Sequence, residues 1–508
     1  MMSSQLKGIV QCFTNSVWND WQRPWSRATP EASTGSGFVI STCRRLIITN
    51  AHVVAFASTL QVRKDGDFDK HVAQILAVSH QTDLAIVTVA SDAFWLDAVE
   101  LPLGETPRLQ QHVDVVGFPI GGNSVSITSG VVSRINWSMY SQSREANLVV
   151  TVDAAINNGN SGGPAMSDGH VVGVAFQSPM KTENMGEIVP VSILKRVLED
   201  FDAIAAARGP LAAGGGDGGA IAVAGSASPA PLRGFATFAP TFQTLENEAL
   251  RRFVLLPPTA SGILVQHVPK VSNLDAVLRV GDVLTAVDGM AISNDGRVRR
   301  EKGASPLDFR LVVTSKLVGE SLTLSVFREG ARLELAVAAE NPPKLLPSTW
   351  YSPASYVMFA GLVFVPLSAE LVEEGAYHAE LLYAGEGLKH KSTSQQMVSV
   401  IQILPHELTL GYSELEFPAH LPLLAIDGAP VHCLADVAAA TLRSSGEWIC
   451  FSFAQGRRLA LPLAEARRAT TELLAEHRIP AVASDDIAAA VRRATEEAPA
   501  AAVEAALV

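Results

Sequence analysis

The chain has 508 residues, a formal net charge of −12, 48% apolar residues and four cysteines. At about 100–200 residues per domain, this length predicts roughly three domains. The apolar content excludes a chain that is disordered throughout, because enough apolar side chains are present to build buried cores. The acidic balance argues against a basic nucleic-acid-binding surface, so no nucleic-acid partner is expected.

The cysteines and the apolar runs exclude further classes of protein. No Cys-x-x-Cys pair and no zinc-ligand spacing of Cys and His occurs, so neither a metal site nor a disulfide framework is predicted, and a reducing compartment is the default. No run reaches the roughly 18 apolar residues needed to cross a bilayer. The first 35 residues lack a basic start followed by an apolar run, as a secretory signal would have. We therefore expect a soluble, intracellular protein without a membrane span.

Residues 35–207 consist of short apolar runs that turn residues interrupt at close spacing. This pattern predicts many short strands and therefore an all-β barrel or sandwich, which a helical segment at Ser192–Ala207 closes. The preceding segment, 1–34, is aromatic, and its aromatic side chains fit either core packing or a contact between subunits. These side chains are Phe13, Trp18, Trp21 and Trp25.

The second half of the chain contains two units with the same order of elements. Residues 208–231 are rich in Gly, Ala, Ser and Pro and predict a flexible linker. Units at 232–341 and 342–470 follow, each with an Asp-Gly turn inside a strand pair, then a helical segment and a second hairpin. This order predicts an internal repeat. The tail, 471–508, is Ala-rich and is expected to be helical or disordered.

One glycine-rich segment, Asn158-Gly-Asn-Ser-Gly-Gly-Pro164, has the composition of a catalytic turn. A serine between glycines exposes its hydroxyl, and the N–H groups of Gly159 and Ser161 can converge on a developing oxyanion. The alternative for this segment is an ordinary turn without catalytic function.

Ser161 needs a base to become a nucleophile, and the base needs an orienting acceptor. His52 follows an apolar strand directly, and Asp83 begins another apolar run. Taken singly, the first fits a core histidine and the second a strand-cap aspartate. Their order with Ser161 inside one β-rich region favours a nucleophile, a base and a carboxylate that act together.

Three segments resemble the catalytic motifs of the Deg/HtrA serine proteases: Thr49-Asn-Ala-His-Val-Val, Thr82-Asp-Leu-Ala and Gly159-Asn-Ser-Gly-Gly-Pro. Gly35-Ser-Gly-Phe-Val-Ile and Val172-Gly-Val-Ala-Phe resemble flanking strands of that family. The resemblance is closest to plant and algal Deg proteases with a PDZ domain and a second, divergent PDZ domain. It implies a mainly β fold, with a chymotrypsin-like double β-barrel protease domain at 35–207 and two PDZ-like α+β domains after it.

The resemblance also implies a role for each residue of these motifs. His52 is expected to act as general base and acid, Asp83 to orient it, and Ser161 to be the nucleophile. The N–H groups of Gly159 and Ser161 are expected to form the oxyanion hole. Asn158 stands where the family commonly has proline, which is expected to loosen this loop.

Two binding regions are expected beside these catalytic residues. Apolar walls at Ala155, Ile156 and Phe176 favour an apolar side chain before the scissile bond. In the first PDZ-like unit, an exposed strand edge is expected to bind a peptide or a C-terminus by strand addition. Its residues are Ser261, Gly262, Ile263, Leu264 and Val265. The second unit lacks the equivalent loop and is expected to serve assembly.

These features predict an ATP-independent serine endopeptidase that degrades unfolded or damaged proteins. No phosphate-binding loop occurs in the sequence, and no cofactor is expected. The family resemblance implies a homo-oligomer, as a trimer or hexamer, and a plastid, mitochondrion or nucleus as compartment. Two alternatives remain: a resting chaperone or scaffold that binds unfolded proteins, and a processing protease dedicated to one partner.

Overall fold

The computed structural model describes residues 5–122, 124–157, 159–177, 185–208, 231–299, 305–344, 346–349, 352–371, 392, 394–412 and 421–496. The chain divides into two compact units. The first unit comprises Met1–Ser16 and Pro30–Pro342, and the second comprises Val17–Thr29 and Pro343–Val508.

Six strands of the first unit form a closed barrel in the order β1-β2-β3-β6-β5-β4. They are β1 (Ile9–Ser16), β2 (Glu31–Ser41), β3 (Leu46–Thr49), β4 (Ala57–Lys64), β5 (His71–Ser79) and β6 (Leu84–Val89), with short helices α1 (Ala51–Val54) and α2 (Asp92–Trp95). β1 pairs with both β2 and β4 and so closes the barrel. The protease domain therefore begins before the boundary expected at residue 35, because strand closure depends on long-range pairing that local patterns do not reveal.

A second closed barrel follows in the order β10-β11-β12-β9-β8-β7. Its strands are β7 (His112–Gly117), β8 (Ser126–Met139), β9 (Ala146–Val152), β10 (Pro164–Ser167), β11 (His170–Gln177) and β12 (Gly186–Pro190). Helix α3 (Val191–Arg208) follows, which confirms the predicted helical segment. Each barrel has an apolar interior built by alternate strand residues. The predicted double barrel is confirmed.

The first PDZ-like region is a sheet in the order β13-β14-β15-β19-β20. Its elements are β13 (Thr241–Thr244), α4 (Glu248–Phe253), β14 (Ile263–His267), β15 (Val283–Val287), β16 (Met290–Ala291), β17 (Arg297–Val298), β18 (Leu307–Asp308), α5 (Arg310–Thr314), β19 (Ser321–Arg328) and β20 (Ala331–Ala338).

The exposed strand edge expected at Ser261–Val265 is not an edge in the structure. β14 pairs with β13 on one side and with β15 on the other, and Ile263 and Val265 are buried. Gly262 leads into this central strand against the Leu284 backbone. The expectation was wrong because the sequence pattern of an apolar strand beside a turn is the same whether the edges of that strand are open or paired. In the described part of this sheet the outer strands are β13 and β20.

The second unit contains two small sheets, in the orders β21-β22-β23 and β25-β24-β26-β27. Its elements are β21 (Val357–Phe359), β22 (Leu362–Pro366), β23 (Val398–Ile403), β24 (Leu423–Ile426), β25 (Ala429–Pro430), α6 (Leu434–Arg443), β26 (Trp448–Phe453), β27 (Arg458–Pro462), α7 (Leu463–Glu476) and α8 (Asp485–Glu496). Helix α7 crosses the domain boundary expected at residue 470 and buries Ala466, Ala469 and Leu473 in this unit.

The two Asp-Gly turns of the predicted internal repeat make matching hydrogen bonds. Asp288 and Asp427 both have left-handed φ angles, of +47° and +50°, each before a glycine. The carboxylate of Asp288 accepts from the Thr323 N–H at 2.8 Å, and that of Asp427 accepts from the Cys450 N–H at 2.8 Å. Each aspartate thus joins its turn to the neighbouring strand in the same way.

The aromatic side chains of the N-terminal segment lie in different parts of the structure. Phe13 lies on β1, where the Lys70 ammonium stands 3.5 Å from its ring centroid. Trp21 and Trp25 pack against the apolar core of the second unit, and the Trp25 ring lies 5.8 Å from that of Tyr356 in an edge-to-face contact. Both tryptophans thus pack within the chain, and the expected contact between subunits stays a prediction.

Candidate active site

His52 lies on a one-turn helix that follows β3 directly. Ala51, Val53 and Val54 are buried around it, while the His52 side chain remains 23% exposed. The apolar residues therefore anchor the turn in the first barrel and leave the imidazole partly open to solvent. A base in this position is held rigidly and is still within reach of a substrate.

Asp83 is buried beside His52. Its Oδ2 lies 2.7 Å from His52 Nδ1, and its Oδ1 accepts from the His52 backbone N–H at 2.9 Å. The residue ends a 3₁₀ turn, His80–Thr82, with a left-handed φ of +53°, and the Asn50 amide donates to its carbonyl at 2.7 Å. These bonds keep the carboxylate aimed at the imidazole, as an orienting carboxylate requires.

Burial and the Asp83 carboxylate both change the pKa of the His52 imidazole. Burial of the ring opposes protonation, but the negative charge of Asp83 and its hydrogen bond outweigh that effect, so the pKa of His52 lies above its usual value. Burial instead lowers the pKa of nearby His80 to about 4. His80 is therefore neutral at physiological pH, whereas the His52 ring has the Asp83 carboxylate as a partner.

Ser161 lies in the loop between β9 and β10, which belongs to the second barrel. Its Oγ is 3.4 Å from the carbonyl oxygen of Phe176, to which it donates. Within the described residues, the N–H groups of Gly159 and Ser161 donate to no acceptor. Two unpaired N–H groups on a tight turn beside a serine hydroxyl are what an oxyanion hole requires.

Gly162 shows why the motif contains glycine directly after the serine. Its φ is +86°, and a Cβ at this position would collide with the Ser36 carbonyl oxygen and with Thr49 Oγ1. The loop thus lies directly against β2 and β3 of the first barrel. This close approach brings Ser161 to the side of the first barrel on which His52 and Asp83 lie.

The three residues expected to form a substrate pocket have different surroundings. Ala155 is half-buried, and its carbonyl accepts from Thr128 Oγ1 at 3.0 Å. Ile156 is 7% exposed and packs on Gly186 within the second barrel. The Phe176 ring is buried, with its centroid 4.7 Å from that of Tyr140, and its carbonyl accepts from Ser161 Oγ.

Other expectations meet the structure only in part or not at all. Asn158 and most of the linker expected at 208–231 lie outside the described residues. In the described ranges, no group of three or more His, Cys, Asp or Glu side chains could hold a metal ion. No described helix is both long and apolar enough to cross a bilayer.

Sequence reasoning missed two polar residues beside this site, Ser36 and Asn50, both of which are fully buried. Both belong to segments that the sequence comparison of motifs had already singled out, Gly35-Ser-Gly and Thr49-Asn-Ala-His. The available signal was their position inside the motifs that lead to an apolar strand or to His52, because a buried polar side chain there needs specific partners.

Comparisons with known proteins agree with this geometry. A model of the trypsin-like peptidase domain matches residues 35–174, and a model of the PDZ domain matches residues 347–486. The chain is 32% identical over 483 residues to putative protease Do-like 3, mitochondrial, of Arabidopsis thaliana, covering 95% of this chain and 80% of that protein. It is 30% identical over 492 residues to protease Do-like 2, chloroplastic, of the same plant, covering 96% and 76%.

Among solved structures, a variant of the HtrA-type protease AlgW with a decapeptide has a TM-score of 0.50 to this chain at 20% identity. The match covers 68% of this chain and 98% of that protein. At this level of identity the likeness concerns the fold.

Proposed function

We propose that this chain, which belongs to the Deg/HtrA family of serine proteases and is a serine endopeptidase, degrades unfolded or damaged proteins without ATP. The observation that supports its catalytic centre best is the buried Asp83 carboxylate 2.7 Å from His52 Nδ1, on the barrel against which the Ser161 loop packs. A base with an orienting carboxylate on the barrel that the loop of a half-buried serine contacts is the arrangement that acyl transfer needs.

The proposed reaction begins with a rotation of the Ser161 hydroxyl from the Phe176 carbonyl towards His52. His52 Nε2 takes the hydroxyl proton as Ser161 Oγ attacks the peptide carbonyl carbon, and the Gly159 and Ser161 N–H groups hold the oxyanion. His52 then gives that proton to the leaving amine as the C–N bond breaks. Water attacks the acyl-enzyme, with His52 again as base, and releases the acid and free Ser161.

A digestion experiment tests this function. Wild type and Ser161→Ala are incubated with a casein, which has little stable fold, and both are treated with a fluorophosphonate label. Fragments and label in wild type alone support the proposal. Cleavage by a pure Ser161→Ala preparation contradicts it, because no other nucleophile is part of the mechanism.

The resting scaffold stays as a second candidate because of one contact. The Ser161 hydroxyl donates to the Phe176 carbonyl, and this orientation does not activate it for attack. A scaffold would bind unfolded protein in a fixed ratio without producing fragments. Absence of both label and fragments in wild type, with casein retained on the protein, would favour this candidate over the protease.

We further propose that peptides bind the first PDZ-like region along β13. The Val265 N–H donates to the backbone carbonyl of Asp282, on the β15 side of the strand. Because successive residues of a strand direct their N–H and carbonyl groups to opposite sides, the preceding residue, Leu264, directs its backbone groups towards Gln243 on β13. The N–H groups on either side of Gln243, including that of Thr244, then point to the open edge. Thr244→Pro should weaken binding of a fluorescent C-terminal peptide, measured by anisotropy, whereas Gln243→Ala should not; equal binding by all three proteins would contradict this site.

Assembly and location complete the proposal. We propose a homo-oligomer, as a trimer or hexamer, with the second unit serving assembly. Light scattering of the purified chain measures its mass, and the mass of a monomer would contradict this proposal.

The names of the relatives above place those proteins in the mitochondrion and the chloroplast. We propose one of these organelles for this chain, which imaging of a fluorescent fusion in its own cells would test.

A further inference from the structure

Ser36 is a buried serine whose hydroxyl, backbone N–H and carbonyl all form hydrogen bonds close to the catalytic residues. Its exposed fraction is 0%. Its hydroxyl donates to the Gly159 carbonyl at 2.7 Å and accepts from the Phe118 N–H at 2.8 Å. Its backbone N–H donates to the Ser161 carbonyl at 2.8 Å, and its own carbonyl accepts from Thr49 Oγ1 at 2.7 Å.

These bonds join the two barrels at one residue. Ser36 and Thr49 lie on β2 and β3 of the first barrel, while Phe118 follows β7 of the second barrel. Thr49 is three residues before His52, so the bridge connects the strand that leads to the base with the loop that contains the nucleophile. A short side chain with both a donor and an acceptor suits this position, because it satisfies groups on either side of a narrow gap.

The bridge constrains the peptide planes on both sides of the Ser161 N–H. The carbonyls of Gly159 and Ser161 are held by the hydroxyl and the backbone N–H of Ser36 respectively. The intervening Asn160 carbonyl accepts from the Gly163 N–H at 2.9 Å. With three successive carbonyls held by hydrogen bonds, the Ser161 N–H keeps its direction before substrate arrives, which is the preorganisation that oxyanion stabilisation requires.

The chain leaves space for this bridge at Gly117. A Cβ on Gly117 would lie 2.8 Å from Ser36 Oγ and 2.9 Å from the Asn160 Cα. Contacts this short would displace either the serine hydroxyl or the loop. There is therefore no room for another side-chain atom where the end of β7, β2 and the loop of residues 159–161, called the oxyanion loop below, come together.

We propose that Ser36 is a positioning residue that aligns the oxyanion loop of the second barrel with the first barrel. This inference rests on the proposed protease function. Ser36 does not touch the scissile bond; it acts through the Gly159 and Ser161 peptides. Its loss should therefore slow the chemical step and leave peptide binding unchanged, since the groups that bind substrate side chains remain in place.

The test compares Ser36→Ala with Ser41→Ala, which removes another buried hydroxyl from the same strand. With folding verified by circular dichroism, Ser36→Ala should lower kcat on a short peptide and the rate of fluorophosphonate labelling about 10–100-fold, a part of the 10²–10³-fold that loss of an oxyanion donor costs. KM and the midpoint of the acid limb should stay at the wild-type values, because His52 and Asp83 are not altered. Ser41→Ala should behave as wild type.

Each outcome separates the inference from the function on which it rests. A wild-type protein that neither labels nor cleaves contradicts the protease function. A wild type that labels, beside a Ser36→Ala variant with kcat within twofold of it, contradicts the inference alone, as does a change confined to KM. Should Ser36→Ala fail to fold, Thr49→Val removes only the hydroxyl that holds the Ser36 carbonyl, and an unchanged kcat in that variant likewise overturns the proposal.

Discussion

Acid–base chemistry at His52 depends on two opposing effects of the same site. The surrounding protein lowers the affinity of the ring for a proton, and the buried Asp83 raises it by more. The side chain stays 23% exposed, so protons exchange with solvent while Asp83 itself is fully buried. The neutral form of His52 is the form that can accept the Ser161 proton.

The acid limb of the activity profile should therefore lie at a higher pH than an ordinary histidine would give. Protonated His52 cannot act as base, so kcat/KM should fall tenfold per pH unit below its pKa and reach a plateau above it. We expect the midpoint above about 6.5, the usual histidine value. A pH series on a short peptide measures it, and a midpoint at or below that value would contradict the influence of Asp83.

Replacement of Asp83 by asparagine should remove both the charge and the correct orientation of the ring. We expect Asp83→Asn to lower kcat by about 10⁴-fold, as loss of an orienting carboxylate does in such triads. The remaining acid limb should move to lower pH, because burial then acts on His52 without a compensating charge. Asp114→Asn is the control, since Asp114 accepts from Ser129 on the second barrel; an equal loss in both variants would show a general effect of removing a carboxylate.

At the scale of elements, turns decide where the catalytic groups stand. The loop between β9 and β10 can approach β2 and β3 because Gly162 has no Cβ, as described above. A positive φ angle by itself has a smaller effect. Gly66, with a φ of +80°, has nothing within 4 Å of the position that a Cβ would take. A side chain at Gly66 would therefore cause backbone strain alone, whereas a side chain at Gly162 would also collide with neighbouring atoms.

Gly162→Ala should abolish fluorophosphonate labelling, because the new methyl group collides with the Ser36 carbonyl and moves the loop. Gly66→Ala should retain labelling and lower the free energy of unfolding by about 1–2 kcal/mol, the usual cost of a left-handed conformation for a residue with a Cβ. Labelling and urea unfolding of both variants test this pair. Equal labelling in the two would show that the close approach has no catalytic importance.

Over the whole first unit, the first PDZ-like region packs against the protease barrels close to the catalytic aspartate. Gln81, two residues before Asp83, donates to the Phe235 carbonyl at 3.0 Å and accepts from the Phe235 N–H at 2.8 Å. Its amide also donates to Glu145 at 2.9 Å. Phe235, Leu311 and Leu317 share one apolar cluster with Tyr140 and Phe176 of the second barrel.

Gln81→Ala should therefore affect stability and activity together. Loss of these hydrogen bonds, with the Phe235 N–H and carbonyl left to find other partners, should lower the free energy of unfolding by about 1–3 kcal/mol. Activity on a short peptide should also fall, because the 3₁₀ turn that presents Asp83 loses its outer support. Urea unfolding and peptide cleavage measure both effects, and Gln61→Ala on β4 is the control. Unchanged values in Gln81→Ala would mean that this contact supports neither property.

Features that depend on neighbouring residues could be predicted from the amino-acid sequence. The Gly-Asn-Ser-Gly-Gly-Pro turn, the apolar strands before His52 and after Asp83, and the paired Asp-Gly turns each need particular residue types within a few positions. Such requirements are visible in the letters of the chain. The short strands were accordingly predicted from the residue pattern, whereas the double barrel was implied by the family resemblance of the motifs; the structure contains both, with matching turns at Asp288 and Asp427.

Contacts between segments that are distant along the chain could not be predicted in this way. The closure of the first barrel by β1 and the central place of β14 depend on pairings that every apolar strand could make equally well. Ser36 and Gly159 are 123 residues apart, and Gln81 and Phe235 are 154 apart. Hydrogen bonds over such separations follow from the path of the whole chain, because the same polar residue has no preferred distant partner until the barrels have formed.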